Sequence, residues 1–423
     1  MNIPALSSEE HHQRARRLYT LICFSSAMLM FAVFTVETLY QIKAARLDPL
    51  QIVLVGTILE LSIFLFEVPT GVLADRKSRR LSVVSGYFLI GCGFMLEGSI
   101  PRFWAIALAQ VVWGTGITFT SGALQAWIAD ELPEDEDMTA IFLRGSRAEQ
   151  LGGVAGVPLG MLCALRAVSL PLVAGGGLLI VLSLYLLLRM PEHGYTPEPA
   201  PKGAGFPALT GMWSKIRELV RRRPLLMLIM LLGFFYGLYG EGFDRLWTPH
   251  LLTRFPAFAA LAGKHGDIVL IGALWFFMQL VSFLIIELVR RLHVSERSRH
   301  LQSWLTGIAI IELACLIYFS ITFRPWLAVL AFWLIMGLRN LTLPLYQAWL
   351  NRQIDDSRVR ATFFSISSQV DAIGQISGGP GIGLIGKRIS IGAALFSSSM
   401  LFLPVVVLYL LLAARQHRKN SNS

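Results

Sequence analysis

An all-α membrane protein is the fold class that the sequence predicts, and three observations predict it. Apolar residues make up 54% of the 423 positions and charged residues only 15%, whereas ordinary soluble domains carry roughly 25% charge. The apolar residues are gathered into long runs, and about 20 such residues carry a helix across a bilayer. The basic residues are concentrated in alternate connections between the runs.

Twelve runs can be marked off: 18–43, 50–73, 81–100, 103–129, 141–166, 168–190, 224–251, 266–292, 301–322, 325–350, 361–386 and 390–413. With the N-terminus inside, the cytoplasmic segments hold 24 Lys and Arg and the outer loops 9, while Arg144, Arg147, Arg245 and Arg339 fall within runs. That split follows the positive-inside rule with both termini cytoplasmic. The formal net charge of +10 is thereby a topology signal and no argument for a nucleic-acid partner. Cys23, Cys92, Cys163 and Cys315 all lie inside apolar runs without CxxC spacing, which fits small packing residues better than disulfides or metal ligands. The polar, basic stretch from Ser7 to Arg17 has no cleavage-site pattern, so the first helix is expected to act as its own insertion signal.

The expected organisation is a cytoplasmic tail (1–17), a six-helix bundle (18–190), a cytoplasmic linker (191–223), a second six-helix bundle (224–413) and a cytoplasmic C-terminal tail (414–423). The linker opens with Pro191, Gly194, Pro197, Pro199 and Pro201, which is turn and linker chemistry. Its end sets Trp213, Ile216, Leu219 and Val220 at helical spacing among Lys and Arg, predicting an amphipathic helix on the inner leaflet. The two bundles echo each other. At an offset of 222 residues, Gln125-Ala126-Trp127 recurs as Gln347-Ala348-Trp349, and Phe142, Ser146, Gly152, Gly156, Pro158 and Leu162 recur in register. That makes nine identities in 38 pairs, where roughly two or three are expected by chance. A weaker echo at offset 207 sets Glu37-Thr38-Leu39-Tyr40 against Asp244-Arg245-Leu246-Trp247. Parallel halves of this kind occur in secondary transporters, with the substrate between them.

One hairpin is specific. Gly71-Val72-Leu73-Ala74-Asp75-Arg76-Lys77-Ser78-Arg79-Arg80 joins the second and third runs. It resembles the signature G-x-L-x-D-R-x-G-R-R of the major facilitator superfamily, matching at Gly71, Leu73, Asp75, Arg76, Arg79 and Arg80, with Ser78 in place of the second glycine. The lead-in Glu67-Val68-Pro69-Thr70 looks like the E-P-T-G of many bacterial members, and the resemblance extends over essentially the whole chain. It leans towards the drug-efflux branch: Gly152, Gly156, Pro158 and Gly160 approximate the exporter pattern of the fifth helix. The fourth-helix pattern R-x-x-Q-G stands here as Gln110-Val111-Val112-Trp113-Gly114, without the arginine that the family associates with proton coupling. The resemblance implies a cytoplasmic gate of Gly71, Asp75, Arg76, Arg79 and Arg80 with Asp130, in which Asp75, Arg79 and Asp130 cluster.

Ionisable residues within the runs are costly, roughly 2.5–3.5 kcal/mol each at mid-bilayer, and so are functional candidates. Glu149 and Asp371 correspond under the 222-residue repeat; Glu60, Glu37 and Asp244 complete the candidate set for proton or cation coupling. Arg339 is a candidate partner for Asp371, and Arg245 for Glu37 or Asp244. Trp113, Arg147, Tyr236, Tyr239 and Arg339 are candidates to line a cavity, although packing explains most single aromatics equally well. Glu312 has no evident role at this stage.

These residues predict a secondary transporter working by alternating access in a bacterial plasma membrane. It is expected to be monomeric and to export a small amphipathic or cationic compound in exchange for protons. Uptake by symport or uniport is the alternative, and a non-transporting receptor or scaffold is the alternative from another class. No catalytic signature such as HExxH, GxSxG or a P-loop is present, so no enzyme activity, metal or cofactor is expected.

Overall fold

The computed structural model describes residues 8–196, 224–261, 263–291, 301–353 and 357–421. Among these every regular element is helical: α1 (Ser8–Lys43), α2 (Pro49–Arg76), α3 (Arg79–Ser99), α4 (Phe103–Thr120), α5 (Ala123–Glu131), α6 (Met138–Ala164), α7 (Leu170–Arg189), α8 (Pro224–Arg254), α9 (Pro256–Ala260), α10 (Gly266–Arg291), α11 (Leu301–Ile321), α12 (Pro325–Gln353), α13 (Ser357–Arg388) and α14 (Ile391–Ser421), with one 3₁₀ turn at Gly263–His265. The predicted amphipathic helix of the linker and the loop 293–300 lie outside the described residues.

Nine spans among the described residues are long and apolar enough to cross a membrane, with α4 and α5 counted as one. Two further long helices, α6 and α13, are not among these spans; α6 carries Arg144, Arg147 and Glu149, and α13 carries Asp371. The long helix α8 opens on an apolar run and carries Glu241, Asp244 and Arg245 beyond it. The fourth run, expected as one helix, is broken at Gly122, whose φ of +72° is costly for any residue with a side chain.

The chain forms two compact units, one of residues 1–46 and 58–211, the other of 47–57 and 212–423. The first ten residues or so of α2 therefore pack with the second unit rather than with the bundle in which the sequence places them. In that unit Gly379 and Gly383 of α13 leave room for Val53, Thr57 and Leu50, and Lys387 Nζ meets Asp48 Oδ2 at 2.9 Å.

The same packing device organises both units. In the first, α6 lies on α1 so closely that a Cβ at Gly152, Gly156 or Gly160 would overlap the carbonyl of Phe24, Met28 or Ala32. In the second, α13 lies on α8, with Gly374 and Gly378 against the carbonyls of Phe234 and Leu238. Small residues at four-residue spacing allow such backbone approach. The contacts put α1 and α8 in register at an offset of 210, Phe24 with Phe234 and Met28 with Leu238. The offset of 207 read from the sequence is corrected accordingly: Glu37 and Asp244 are not equivalent positions.

The N-terminal segment 8–17, expected as a tail, is helical and continuous with the first span. It is held by ion pairs from Arg16 to Glu136 at 2.6 Å and from His11 to Glu131 at 2.8 Å.

Candidate functional site

Within the second unit a cavity of about 480 Å³ lies among α8, α12 and α13. Its apolar walls are Leu232, Leu343 and the rings of Tyr236 and Tyr346; Arg339, Gln347, Ser367, Ser368 and Asp371 supply the polar ones. The glycine contacts between α8 and α13 bring these walls together, and Gly237 itself lies against the Asp371 carbonyl. The hydroxyls of Tyr236, Tyr346 and Ser367 are buried without a well-formed hydrogen bond among the described residues. Buried polar groups normally find a partner, and these hydroxyls face one another behind the cavity wall, Tyr346 with Ser367 and Tyr236 with Tyr409.

Arg339 sits at one side of this cavity and is already engaged. Its guanidinium makes a two-pronged pair with Asp244, Nη1 to Oδ1 at 2.5 Å and Nη2 to Oδ2 at 2.9 Å, the fork geometry that suits a carboxylate. It also lies over the rings of Tyr239 and Phe243, 5.6 and 5.9 Å from their centroids, in cation–π range. One expected partnership is corrected here: Arg339 pairs with Asp244, while Asp371 accepts from Gln375 Nε2 at 2.8 Å. Arg245 makes an ion pair with Glu241 at 3.3 Å one turn away. Behind Tyr239 lies Glu312, fully buried, whose Oε1 accepts from Tyr239 Oη at 2.6 Å. Its Oε2 is buried with no hydrogen-bond partner among the described residues. Tyr239 is thus fully buried between Glu312 and Arg339 and is not a cavity wall. The four side chains form a line: Asp244, Arg339, Tyr239, Glu312.

In the first unit the signature hairpin is tied down from several sides. Ser78 caps α3 by accepting from Leu81 N and donates to Glu192 Oε2 at 2.7 Å; the other oxygen of Glu192 takes Arg80 N at 3.0 Å. Arg79 meets Asp130 Oδ2 at 2.5 Å and donates to the Ala126 carbonyl at 2.8 Å, while the Arg80 guanidinium donates to the Leu187 carbonyl. Asp75 departs from the expected cluster: its carboxylate is exposed, and it takes part through its main-chain carbonyl, which accepts from Tyr195 Oη at 2.8 Å. Nearby, the buried Glu131 accepts from His11 and from the main-chain nitrogens of His193 and Gly194.

A family model described as Major Facilitator Superfamily matches residues 18–297. The chain belongs to the major facilitator superfamily. Among relatives of this superfamily it is 24% identical to the uncharacterised MFS-type transporter YxaM of Bacillus subtilis (strain 168), over 90% of this chain and 92% of that one. Its fold resembles that of the nucleoside transporter NupG, with a TM-score of 0.74 at 14% identity over 96% of this chain and 99% of the other. It also resembles a peptide transporter POT in complex with sulfate, with a TM-score of 0.72 at 13% identity over 98% and 99%. The chain is a transporter of the MFS type.

The remaining candidates of this MFS protein lie on α1, α2, α4 and α6. Glu149 lies against Cys23 and Tyr19 of α1, and Arg147 is exposed on α6. Glu60 is half-buried on α2. Trp113 is only 4% exposed and packs against Phe34 and Phe94 within the first unit. Its Nε1 donates to Gln110 Oε1 and starts a network that sequence reasoning missed. Gln110 Nε2 donates to Glu97 Oε2, and Gln41 Nε2 donates to Glu97 Oε1, both at 2.9 Å. Gln41 also reaches the buried Glu37 at 3.4 Å. Glu97 is fully buried, and an acid within an apolar run was the available signal.

Proposed function

We propose that this chain is a secondary active transporter with twelve spans and cytoplasmic termini, working by alternating access as a monomer in a bacterial plasma membrane. It exports a small amphipathic cation in exchange for protons. The observation that carries this reading is the line Asp244–Arg339–Tyr239–Glu312 beside a cavity that also holds Asp371. Arg339 is neutralised by Asp244, so the cavity presents aromatic faces and a carboxylate, which suit a lipophilic cation.

The same line supplies coupling. With Arg339 clamped to Asp244, Glu312 holds a proton, because an ionised carboxylate with one bare oxygen is costly in a buried site. A cation that takes Asp244 releases the Arg339 charge towards Tyr239 and Glu312. Glu312 then ionises and gives up its proton. Substrate and proton thus exclude one another, as exchange requires. The Arg79–Asp130 pair is the cytoplasmic gate, which opens when that pair breaks.

Proteoliposomes with an imposed pH gradient and tetraphenylphosphonium as the probe test this. Wild-type protein accumulates the probe against its gradient. Glu312→Gln keeps probe exchange and loses the pH drive. Proton-driven transport that survives in Glu312→Gln, Asp244→Asn, Asp371→Asn, Glu149→Gln, Glu60→Gln and Glu37→Gln alike sinks the carboxylate assignment. Uptake of an anion is the second reading, favoured by the presence of Arg339 in the cavity wall; competition by a carboxylic acid rather than by the cation would select it.

A further inference from the structure

The helical extension of α1 sorts its basic residues onto two faces. His11 and Arg16 turn inward to Glu131 and Glu136. Arg14 and Arg17, both exposed, border instead a groove of about 520 Å³ together with Arg189 from the end of α7. Gln13 and Glu10 stand at its rim, and its apolar side is Leu18, Leu21 and Tyr185. The sorting follows from helix geometry: Glu10, Arg14, Arg17 and Leu21 recur at four- and three-residue steps and so share a face. Three guanidinium groups against one carboxylate give the groove a net positive character.

Below the arginines the surface is continuously apolar. Leu21 and Tyr185 are each 42% exposed, and Leu184, Val181 and Leu178 of α7 lie further along the same helix, all exposed. Charge at the end of a span above an exposed apolar lane is the complement of a lipid with an anionic head and acyl chains. Tyr185 stands where the two meet, a position that suits an amphipathic ring at a membrane interface. A second groove, between α1 and α6, shares Gln13, Arg17 and Leu21, so Arg17 reaches both sides of the helix.

We propose that the groove formed by Arg14, Arg17 and Arg189 is a binding site for one anionic phospholipid, with its phosphate on the arginines and a chain along Leu21 and Tyr185. Basic pockets between helices at the cytoplasmic face bind such headgroups, and that face is the one assigned to these residues by the charge balance. The site is distinct from the cavity of the second unit. Its occupant pins the α1 extension, which also carries the contacts to Glu131 and Glu136.

Native mass spectrometry of the delipidated full chain, reloaded from phosphatidylglycerol or phosphatidylcholine micelles, tests the proposal. Wild-type protein retains one phosphatidylglycerol and no phosphatidylcholine. The triple variant Arg14→Gln, Arg17→Gln, Arg189→Gln loses retention about tenfold or more, and Arg14→Gln or Arg17→Gln alone lowers it several-fold. Lys77→Gln, which removes an exposed cation from the signature hairpin, leaves it unchanged. Equal retention of both lipids, or undiminished retention by the triple variant, overturns the site. Inorganic phosphate at millimolar concentration leaves the adduct in place if the acyl chains contribute; displacement by phosphate alone overturns the lipid assignment.

Discussion

The two units share a frame and differ in what the frame holds. In each, a glycine-rich helix lies against the carbonyls of its partner at four-residue intervals, α6 on α1 and α13 on α8. Yet the first unit fills its interior with Glu97 held by two glutamine amides, while the second holds an arginine between a carboxylate and a tyrosine–glutamate pair. Each carboxylate oxygen of Glu97 accepts an amide N–H, whereas one oxygen of Glu312 has no hydrogen-bond partner among the described residues. The repeat therefore explains the packing, and departures from the repeat explain the chemistry.

The largest expected effect tests the shared frame. Gly374→Leu and Gly152→Leu each push a side chain into a backbone carbonyl and should cost about 3 kcal/mol or more, seen as loss of monodisperse protein in detergent. Gly381→Leu, where nothing lies within 4 Å, should be tolerated. A tolerated Gly374→Leu would break the equivalence of the two frames.

The next sharpens the chemical contrast. Glu312→Gln should lower pH-driven transport by about 5- to 150-fold, the usual span of a coupling free energy, with little loss of stability. Glu97→Gln should do the reverse, costing about 1–3 kcal/mol in a thermal melt through its hydrogen bonds and leaving the pH dependence of transport as it was. If the two variants behave alike, the contrast fails.

Asp130→Asn should act more weakly. The pair with Arg79 is 15% and 24% exposed, so its removal is worth about 1 kcal/mol, or several-fold in the alkylation rate of a cysteine placed at Ala126. The smallest effect is at Asp48. Burial disfavours its charge, but the hydrogen bond from Lys387 and those from the Gln51 and Leu50 backbone outweigh it and hold the carboxyl below its ordinary range. A depressed value stabilises the fold above the unfolded pKa of about 3.9 and is lost as pH falls through the folded value. With Lys387 half exposed, the contribution is at most about 1 kcal/mol. The melting difference between wild type and Asp48→Asn should thus be visible at pH 6 and fade below about pH 4.

Most of the frame was legible because it is written in periodic signals. Apolar runs gave the helices, the glycine and proline repeat gave the partner helices, and the hairpin gave the family and the Arg79–Asp130 contact. What stayed hidden depends on which side chains meet across helices. Asp371 was the expected partner of Arg339, and only the packing of α8, α12 and α13 shows that Asp244 takes that place. The offset between α1 and α8 was misread by three residues, almost one helical turn, because four similar side chains outweighed the packing glycines. Glu312 and Glu97 were invisible as a pair of opposites, since their partners Tyr239, Gln41 and Gln110 carry no charge to attract notice. The N-terminal extension was misread as a tail because its helix is stabilised by acids 120 residues away.

The long helices that are not among the apolar spans, α6 and α13, have a consequence for how the protein is made. On the proposed arrangement both must still enter the bilayer, against a cost of roughly 2.5–3.5 kcal/mol for each charge near mid-membrane. In each half the polar helix emerges after the partner that it packs on, α6 after α1 and α13 after α8. The second half differs in that α8 itself carries an acid whose cation comes late: Arg339, which neutralises Asp244, arrives only with α12. Until then Asp244 lacks that partner, and the second half is where assembly should stall first.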